Sequence, residues 1–373
     1  MHQMVLHQKT GCGYSNNRQA DIDNRLHDTA EAGRIKLTDQ TKRSTPNRPQ
    51  QVCTDLNPPF FLKPAGIQTV MASAGLRALG KNPMVDTARE VVLTTNEGIR
   101  LLGYISRQPR PRHKGLVILL HGWEGSSNST YVRTTGRFLY RQGYDVFRLN
   151  LRDHGPSHHL NAGIFYAVLL DEVFDAVRQI CAAEGSGPVF LAGFSLGGNF
   201  TLRIVRKCAR EPIPNLKQAI SISPVLDPDK ATDRIDDSRF ILKYFLKKWR
   251  RSLSIKQGLY PDRYDFSALM DIDNIREMTE RLLASYSDYP DAREYFKDYS
   301  VLDGDMAGIT VATTIITAKD DPIIPVEDFY DLQTSPAVRL RIQPYGGHNG
   351  FLEGWRLNGW YERVMAEAFA HAA

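Results

Sequence analysis

The chain has little that would place it in a membrane, on a nucleic acid or in an oxidising compartment. It has 373 residues with only four cysteines, and none of these forms a C-x-x-C pair. The net charge is +5 without the clustered basic stripe of a nucleic-acid-binding domain. No apolar run approaches the roughly 18 residues that a membrane helix needs, and the polar N-terminus lacks a secretory h-region. These absences predict a cytoplasmic protein with no transmembrane segment and no nucleic-acid partner.

The first part of the chain, residues 1–58, differs in composition from the rest. It mixes Gln, Asn, Asp, Arg and Lys with scattered apolar residues and has no sustained periodicity. Such a segment buries too little apolar surface to offset its own ordering entropy. We therefore expect a disordered N-terminal extension.

Short apolar runs bounded by turn residues recur through the remainder and predict strands of a buried sheet. Helical patterns separate most of them, at residues 131–142, 167–183 and 198–210, and strands that alternate with helices indicate a parallel sheet. Two earlier runs flank Asn96-Glu97-Gly98 and predict an antiparallel hairpin. The sequence thus predicts an α/β protein with a mostly parallel central sheet flanked by helices. The predicted parallel strands are residues 116–120, 145–151, 189–192, 219–223, 313–317 and 338–342.

One interval is too long for a single crossover helix. About ninety residues separate the fourth and fifth of these strands, so we expect a helical insertion over residues 227–305 within a core of residues 59–226 and 306–373. One helical face there carries apolar residues and the other is basic. Ligands bind at the carboxyl ends of parallel strands, so a cap over the site is favoured, and peripheral membrane contact through the basic helix is the alternative. The apolar residues are Phe240, Ile241, Tyr244, Phe245, Trp249 and Leu253, and the basic residues are Lys243, Lys247, Lys248, Arg250 and Arg251.

A G-x-S-x-G motif, residues 193–197, joins the predicted strand at 189–192 to the helix that follows it. The turn from strand to helix is so sharp that a side chain at either glycine would collide with its neighbours. The motif therefore predicts a nucleophile elbow with Ser195 exposed at the carboxyl end of the sheet.

A serine hydroxyl needs a base and a group that orients that base. His348 lies in a glycine-rich loop after the last predicted strand and is the candidate base. The acid should follow the strand before it, where Asp321 and Asp320 compete. The spacing of Asp321 and Pro325, four residues apart, resembles that of many α/β hydrolases, and this resemblance favours Asp321. Asp227, after the preceding strand, is the remaining candidate. The order Ser195, Asp321, His348 is the order expected for a strand–serine–helix fold of this kind.

A glycine-containing segment after the first parallel strand, HGWEG at residues 121–125, predicts an oxyanion loop. The backbone N–H groups of Trp123 and Leu196 are the expected donors. His121 is interpreted as a brace for this loop. His154 and His158 match no closed zinc motif and are placed at the rim of the site, with no metal expected.

Four segments together resemble the α/β-hydrolase superfamily of serine hydrolases, and within it the YheT-like branch related to the ABHD esterases and lipases. They are PAGIQT at residues 64–69, HGWEGS at 121–126, GFSLGGN at 193–199 and GGHNGF at 346–351. The resemblance implies an α/β-hydrolase fold and hydrolysis of carboxylic esters, of short or medium acyl chains or of lipids, without a cofactor.

The main hypothesis is a serine esterase or lipase that forms an acyl-enzyme on Ser195. A non-catalytic binding protein of the same fold is the alternative, but such proteins usually lose a triad residue or the oxyanion glycines, and none is missing here. A peripheral membrane lipase or an acyltransferase would use the same triad. Ester, thioester, amide and lactone substrates are not distinguished by these residues, because specificity lies in the cap.

Overall fold

A computed structural model describes residues 55–109, 113–185, 187–302 and 305–372. Most of the predicted extension, residues 1–54, lies outside the described residues. Residues 55–58 contact the core: Leu56 is buried, and its backbone N–H donates to Oε1 of Gln343. None of the helices in the described ranges has the length and apolar content of a membrane-spanning segment.

The described strands form one eight-stranded sheet and a small two-stranded ribbon. The order in the large sheet is β1-β2-β4-β3-β5-β6-β7-β8. The predicted hairpin is confirmed as antiparallel β1–β2, β2 also pairs antiparallel with β4, and the strands from β4 to β8 pair in parallel. The strands are β1 (Arg89–Thr94), β2 (Arg100–Ser106), β3 (Leu116–Leu120), β4 (Asp145–Leu149), β5 (Val189–Phe194), β6 (Leu216–Ile222), β7 (Ala312–Ala318), β8 (Val338–Gln343), β9 (Leu352–Glu353) and β10 (Asn358–Gly359).

Helices cover the sheet, and four of them lie in the predicted insertion between β6 and β7. Three of these insertion helices begin at a side chain that accepts backbone N–H bonds, namely Asp227, Asn274 and Asp291, which is the usual way a helix start is satisfied. The helices are α1 (Ala65–Ser73), α2 (Pro83–Asp86), α3 (Thr130–Arg141), α4 (Leu170–Ala183), α5 (Leu196–Lys207), α6 (Pro228–Asp237), α7 (Arg239–Leu259), α8 (Ile275–Tyr286), α9 (Ala292–Tyr299) and α10 (Trp360–Ala372).

The sheet separates two apolar clusters. In β3, Leu116, Ile118 and Leu120 belong to the cluster that includes α4, α5 and the insertion helices, whereas Val117 and Leu119 belong to the cluster with α3 and α10. Both faces of the strand are therefore buried, which explains its continuous apolar run. The parallel strands all end at the same edge, and the candidate site lies there.

Candidate active site

Ser195 stands directly between β5 and α5 with an unusual backbone. Its φ is +54° and its ψ is −116°, a conformation that costs energy in a non-glycine residue and is often found at functional sites. Its N–H donates to the carbonyl of Ile222 at 2.9 Å, which fixes the turn to the neighbouring strand. The hydroxyl is thereby held at the carboxyl edge of the sheet.

The glycines of the elbow allow this turn, as the sequence predicts. A Cβ on Gly193 would lie 2.0 Å from the carbonyl oxygen of Gly197. A Cβ on Gly197 would lie 2.5 Å from the carbonyl oxygen of His121. Both distances are too short for any side chain, so the chain can make the turn only with glycine at these positions.

His348 and Asp321 meet in the loops after β8 and β7. Nδ1 of His348 lies 3.0 Å from Oδ2 and 3.2 Å from Oδ1 of Asp321, whose side chain is fully buried. Oδ1 also accepts the N–H groups of Ile323 and Ile324, at 2.9 and 3.0 Å. The carboxylate is thus fixed from its own loop and can orient the ring of His348.

The other two candidate carboxylates have different partners. Oδ1 of Asp320 accepts the N–H of Gly347 at 2.8 Å, and burial raises the pKa of this side chain. Asp227 caps α6 by accepting the N–H groups of Asp229 and Lys230. Among the three carboxylates, Asp321 is the one that contacts the ring of His348.

The loop after β3 passes close to Ser195. A Cβ on Gly122 would lie 3.1 Å from Cβ of Ser195. Within the described residues, the N–H groups of Trp123 and Leu196 donate to no other protein group; Leu196 is the first residue of α5, where an N–H has no partner in the helix. Two unpaired donors beside a serine are what an oxyanion site requires.

Three histidines near this loop have structural partners. His121 is fully buried, donates from Nδ1 to the carbonyl of Gly122 at 2.8 Å and accepts the N–H of Leu151 at Nε2, and burial lowers its pKa to about 4. Nε2 of His154 accepts the N–H of Glu124, and burial lowers its pKa as well. His158 contacts Ser252 through Nε2 at 2.8 Å. These rings brace the loops in their neutral forms.

One group of potential metal ligands lies elsewhere in the described part of the chain. His113, Asp145 and Glu184 have ligand atoms within 4.8 Å of one another. They lie at the amino end of β4, the opposite edge of the sheet from Ser195. Nη1 of Arg107 already lies 2.9 Å from Asp145 and 2.6 Å from Glu184. One guanidinium therefore bridges the two carboxylates and offsets part of their negative charge.

Ser195 lines two cavities. The inner cavity, of about 120 Å³, runs under the insertion helices and has mostly apolar walls that include Leu253, Leu282, Leu283 and Phe296. The outer cavity, of about 410 Å³, is lined by Ser195, His348, α1 and the first part of α7. The side chain of Trp123 lies between them, stacked on Phe245 at 5.1 Å with Trp249 against its edge at 5.2 Å.

The hydroxyl of Ser195 forms no hydrogen bond with His348 among the described residues, although both line the outer cavity. Catalytic hydrogen bonds of this kind often tighten only when substrate binds. The arrangement can hold an acyl group on one side of Ser195 and a leaving group on the other, with His348 on the leaving-group side.

Glu124 is a carboxyl group at the inner cavity that the sequence reasoning missed. Burial raises its pKa to about 8, with Asp153 adding to the effect and Lys248 opposing it. At neutral pH the group is mostly protonated. It therefore adds little negative charge to the lining of the inner cavity.

Two lysines of α7 tie the insertion to the core and were also missed. Nζ of Lys248 donates to the carbonyl of Glu124 at 2.9 Å. Nζ of Lys256 is buried and donates to Oδ1 of Asp153 at 2.8 Å and to the carbonyl of Asn161 at 2.7 Å. Burial raises the pKa of Asp153 to about 6, and Lys256 opposes this shift. A lysine on an amphipathic helix gives no sequence signal of such a contact.

The prediction that α7 divides into a packed apolar face and a solvated basic face is partly wrong. Phe240 is 70% exposed and Tyr244 is 42% exposed, because the first turns of α7 extend along the mouth of the outer cavity. Lys248 is instead engaged with the core, and Arg250 pairs with Asp273 at 2.8 Å. Of the basic residues on the predicted solvated face, Lys243, Lys247 and Arg251 are exposed.

The α/β-hydrolase fold is defined by a mostly parallel sheet with a serine at a sharp strand-to-helix turn. Its histidine follows the last strand of the sheet, and its acid follows the strand before that one. The chain belongs to the family described as Serine aminopeptidase, S33, whose model matches residues 111–354. It is therefore a hydrolase of the esterase and lipase type, in the branch that contains the YheT and ABHD proteins.

Two relatives illustrate this placement, and one solved structure illustrates the fold. The chain is 24% identical over 264 residues to the putative esterase YheT of Escherichia coli, covering 69% of this chain and 76% of that protein. It is 22% identical over 300 residues to phospholipase ABHD3 of Bos taurus, covering 76% and 72%. The Pyrococcus furiosus esterase Pf2001 has the same fold, with a TM-score of 0.52 and 19% identity over 79% of this chain and 95% of that one.

Proposed function

We propose that the protein hydrolyses carboxylic esters through an acyl-enzyme on Ser195, with His348 as base and Asp321 as the orienting acid. The observation that carries this proposal is the position of Ser195. It lies in a strained elbow between two cavities, beside two unpaired N–H donors, and it shares the outer cavity with a histidine that is paired to a buried carboxylate.

Each group has a defined task in the proposed reaction. Nε2 of His348 takes the proton of Ser195 as Oγ attacks the ester carbonyl, and Asp321 stabilises the imidazolium that forms. The N–H groups of Trp123 and Leu196 stabilise the oxyanion. His348 then gives the proton to the departing alkoxide, and a water activated by His348 hydrolyses the acyl-enzyme.

The two cavities support an assignment of the two parts of the substrate. The apolar inner cavity suits the acyl chain, and the outer cavity suits the alcohol, because His348 must protonate the leaving oxygen on that side. We infer that residues 227–305 act as the cap, over a core of residues 59–226 and 306–373. The names of the relatives, which include esterases and a phospholipase, support an ester or lipid substrate.

A panel of p-nitrophenyl esters of increasing acyl length tests this assignment. We expect kcat/KM to rise from acetate to a medium chain, because each buried methylene adds about 0.8 kcal/mol of binding, and to fall once the chain exceeds the inner cavity. Steady-state hydrolysis measured at 405 nm gives the profile.

Two outcomes of this panel would favour other functions. Tight binding of the esters without turnover would support a non-catalytic binding protein. Faster release of p-nitrophenol on adding a short alcohol, with ester formed in place of acid, would support acyl transfer. Amide, thioester and lactone analogues in the same assay distinguish the electrophile.

A cytoplasmic setting is supported by two cysteines. Cys181 and Cys208 are free and buried, and burial raises their pKa values to about 12 and 11. Thiols of this kind pack as small hydrophobic groups and stay unreactive. We infer a protein of a reducing compartment that acts on a small-molecule ester and binds no nucleic acid.

Exposed apolar residues at the mouth of the outer cavity support the proposal that the protein contacts a membrane surface. Val70 of α1 and Phe240 and Tyr244 of α7 line this cavity and are 46%, 70% and 42% exposed. Lys243 and Lys247 are exposed on the same turns of α7. An apolar rim flanked by lysines matches an anionic lipid surface, where each basic residue contributes about 1 kcal/mol.

Replacing Phe240 and Tyr244 by serine is expected to reduce binding to vesicles containing phosphatidylserine by about tenfold, because the apolar area inserted into the interface is lost. Vesicle co-sedimentation measures the effect. Leu259→Ser is the matched control, since Leu259 is 45% exposed on the same helix but does not line the cavity. Equal binding by wild type and the double variant would rule out this contact.

A further inference from the structure

The loop that carries His348 has a backbone conformation that is unfavourable without support from the surrounding structure. Gly347, Asn349 and Phe351 all have positive φ, at +51°, +61° and +46°. For Asn and especially Phe this conformation costs energy, and it persists only when surrounding structure imposes it. The position of the His348 ring therefore depends on what holds the loop.

Three consecutive N–H groups of the loop are each accepted by a different side chain. Gly347 donates to Oδ1 of Asp320 at 2.8 Å, and Asn349 donates to Oγ of Ser223 at 3.3 Å. Both acceptors follow strands of the sheet. The N–H of His348 itself donates to Oγ1 of Thr69 at 2.9 Å, and Thr69 lies outside the sheet, on α1.

The orientation of the Thr69 hydroxyl is fixed by its own hydrogen bond. Its own hydrogen is donated to the carbonyl of Ala65 at 2.8 Å, one turn earlier in α1. A lone pair is thereby left for the N–H of His348. The bond joins residues 279 positions apart.

The preceding residue, Gln68, holds the far end of the same loop. Its side chain is fully buried. Oε1 accepts the N–H of Leu352 at 2.7 Å, while Nε2 donates to the carbonyl of Leu352 at 3.2 Å and to that of Leu62 at 2.8 Å. Both backbone groups of Leu352 are thus paired with one amide side chain.

The glycines of the loop permit its close approach to α1. A Cβ on Gly347 would lie 2.5 Å from the carbonyl oxygen of Ala65, and a Cβ on Gly350 would lie 2.7 Å from Oε1 of Gln68. The loop and the helix are therefore fitted to each other over the whole segment from residue 347 to residue 352.

We propose that Gln68 and Thr69 are positioning residues for the reaction, and that α1 holds the loop so that His348 faces the cavity it shares with Ser195. The inference rests on the proposed function, in which His348 is the base. It assigns a role to the PAGIQT segment at residues 64–69, which lies ahead of the region matched by the family model. Thr69 fixes the backbone of His348 and touches no reacting atom.

The test replaces Thr69 by valine, which has nearly the same shape but no acceptor for the His348 N–H. We expect kcat for p-nitrophenyl ester hydrolysis to fall about tenfold with KM within about twofold, because a small displacement of the base slows proton transfer without altering the acyl cavity. Labelling of Ser195 by a fluorophosphonate should slow in parallel. Thr69→Ser keeps the hydroxyl and should restore kcat to within about twofold of wild type.

Thr87→Val is the matched control. The Thr87 hydroxyl also donates to a carbonyl four residues earlier, that of Pro83 at 2.9 Å, but it does not contact the loop. Its kcat should equal that of wild type. If Thr69→Val does not fold, Thr69→Ala, with its higher helix propensity, provides the same measurement.

The outcomes separate the two proposals. A wild-type protein without ester hydrolysis and without labelling at Ser195 would overturn the proposed function. If the wild type is active and Thr69→Val keeps full kcat, the positioning role alone is overturned. It is also overturned if the loss of activity in Thr69→Val is no larger than the loss of folded protein measured by circular dichroism.

Discussion

Replacing Ser195 by alanine is expected to lower kcat for ester hydrolysis by about 10⁶-fold, the scale found when the nucleophile of a serine triad is removed. Only Oγ is lost, and the turn is held by the contact of the Ser195 N–H with Ile222 and by the glycines at 193 and 197. The melting temperature should therefore stay close to that of wild type. Labelling by a fluorophosphonate probe, read by mass spectrometry, should vanish.

Ser254→Ala provides the comparison for this variant. Ser254 is exposed on α7, and its hydroxyl donates to the carbonyl of Arg250. Its removal should change neither hydrolysis nor labelling. Probe incorporation at the wild-type rate in Ser195→Ala would show that the nucleophile is a different residue.

Replacing Asp321 by asparagine is expected to lower kcat by about 10⁴-fold at neutral pH. The new amide oxygen can still accept the N–H groups of Ile323 and Ile324, which leaves the NH₂ group facing Nδ1 of His348. Nδ1 must then accept a hydrogen bond, so the ring proton moves to Nε2. The nitrogen that should take the proton of Ser195 is thereby blocked, while KM should change little.

The other two carboxylates give the contrast that identifies the acid. Asn at position 320 can still accept the N–H of Gly347, so Asp320→Asn should lose less than about tenfold. Asn caps a helix about as well as Asp, so Asp227→Asn should retain wild-type activity. A ranking in which either variant is slower than Asp321→Asn would reassign the orienting acid.

Features that depend on local pattern were predictable. The runs that predict β3 to β8 are short, apolar and bounded by turn residues, so the strands lie where the sequence places them to within a few residues. The elbow is equally local, since the required glycines stand within two residues of Ser195. The meeting of Asp321 with His348 follows from two adjacent parallel strands that end at one edge.

Features that depend on contacts between distant segments were not predictable from one sequence. Lys256 and Asp153 are 103 residues apart, and nothing in an amphipathic helix marks which lysine becomes buried. The same holds for Phe240, whose apolar side chain indicated packing but lies exposed at a cavity mouth. The raised pKa of Glu124 depends on burial that only the assembled loops create.

The contact between Thr69 and His348 also has a consequence for biosynthesis. Because these residues are 279 positions apart, a nascent polypeptide carries Ser195 and the oxyanion loop for roughly 8–30 s before the segment with His348 is synthesised, at about 5–20 residues per second. The unfinished chain would expose an apolar cavity without a base to activate the serine. Hydrolytic activity would thus begin only when the loop with His348 has been synthesised and has packed against α1.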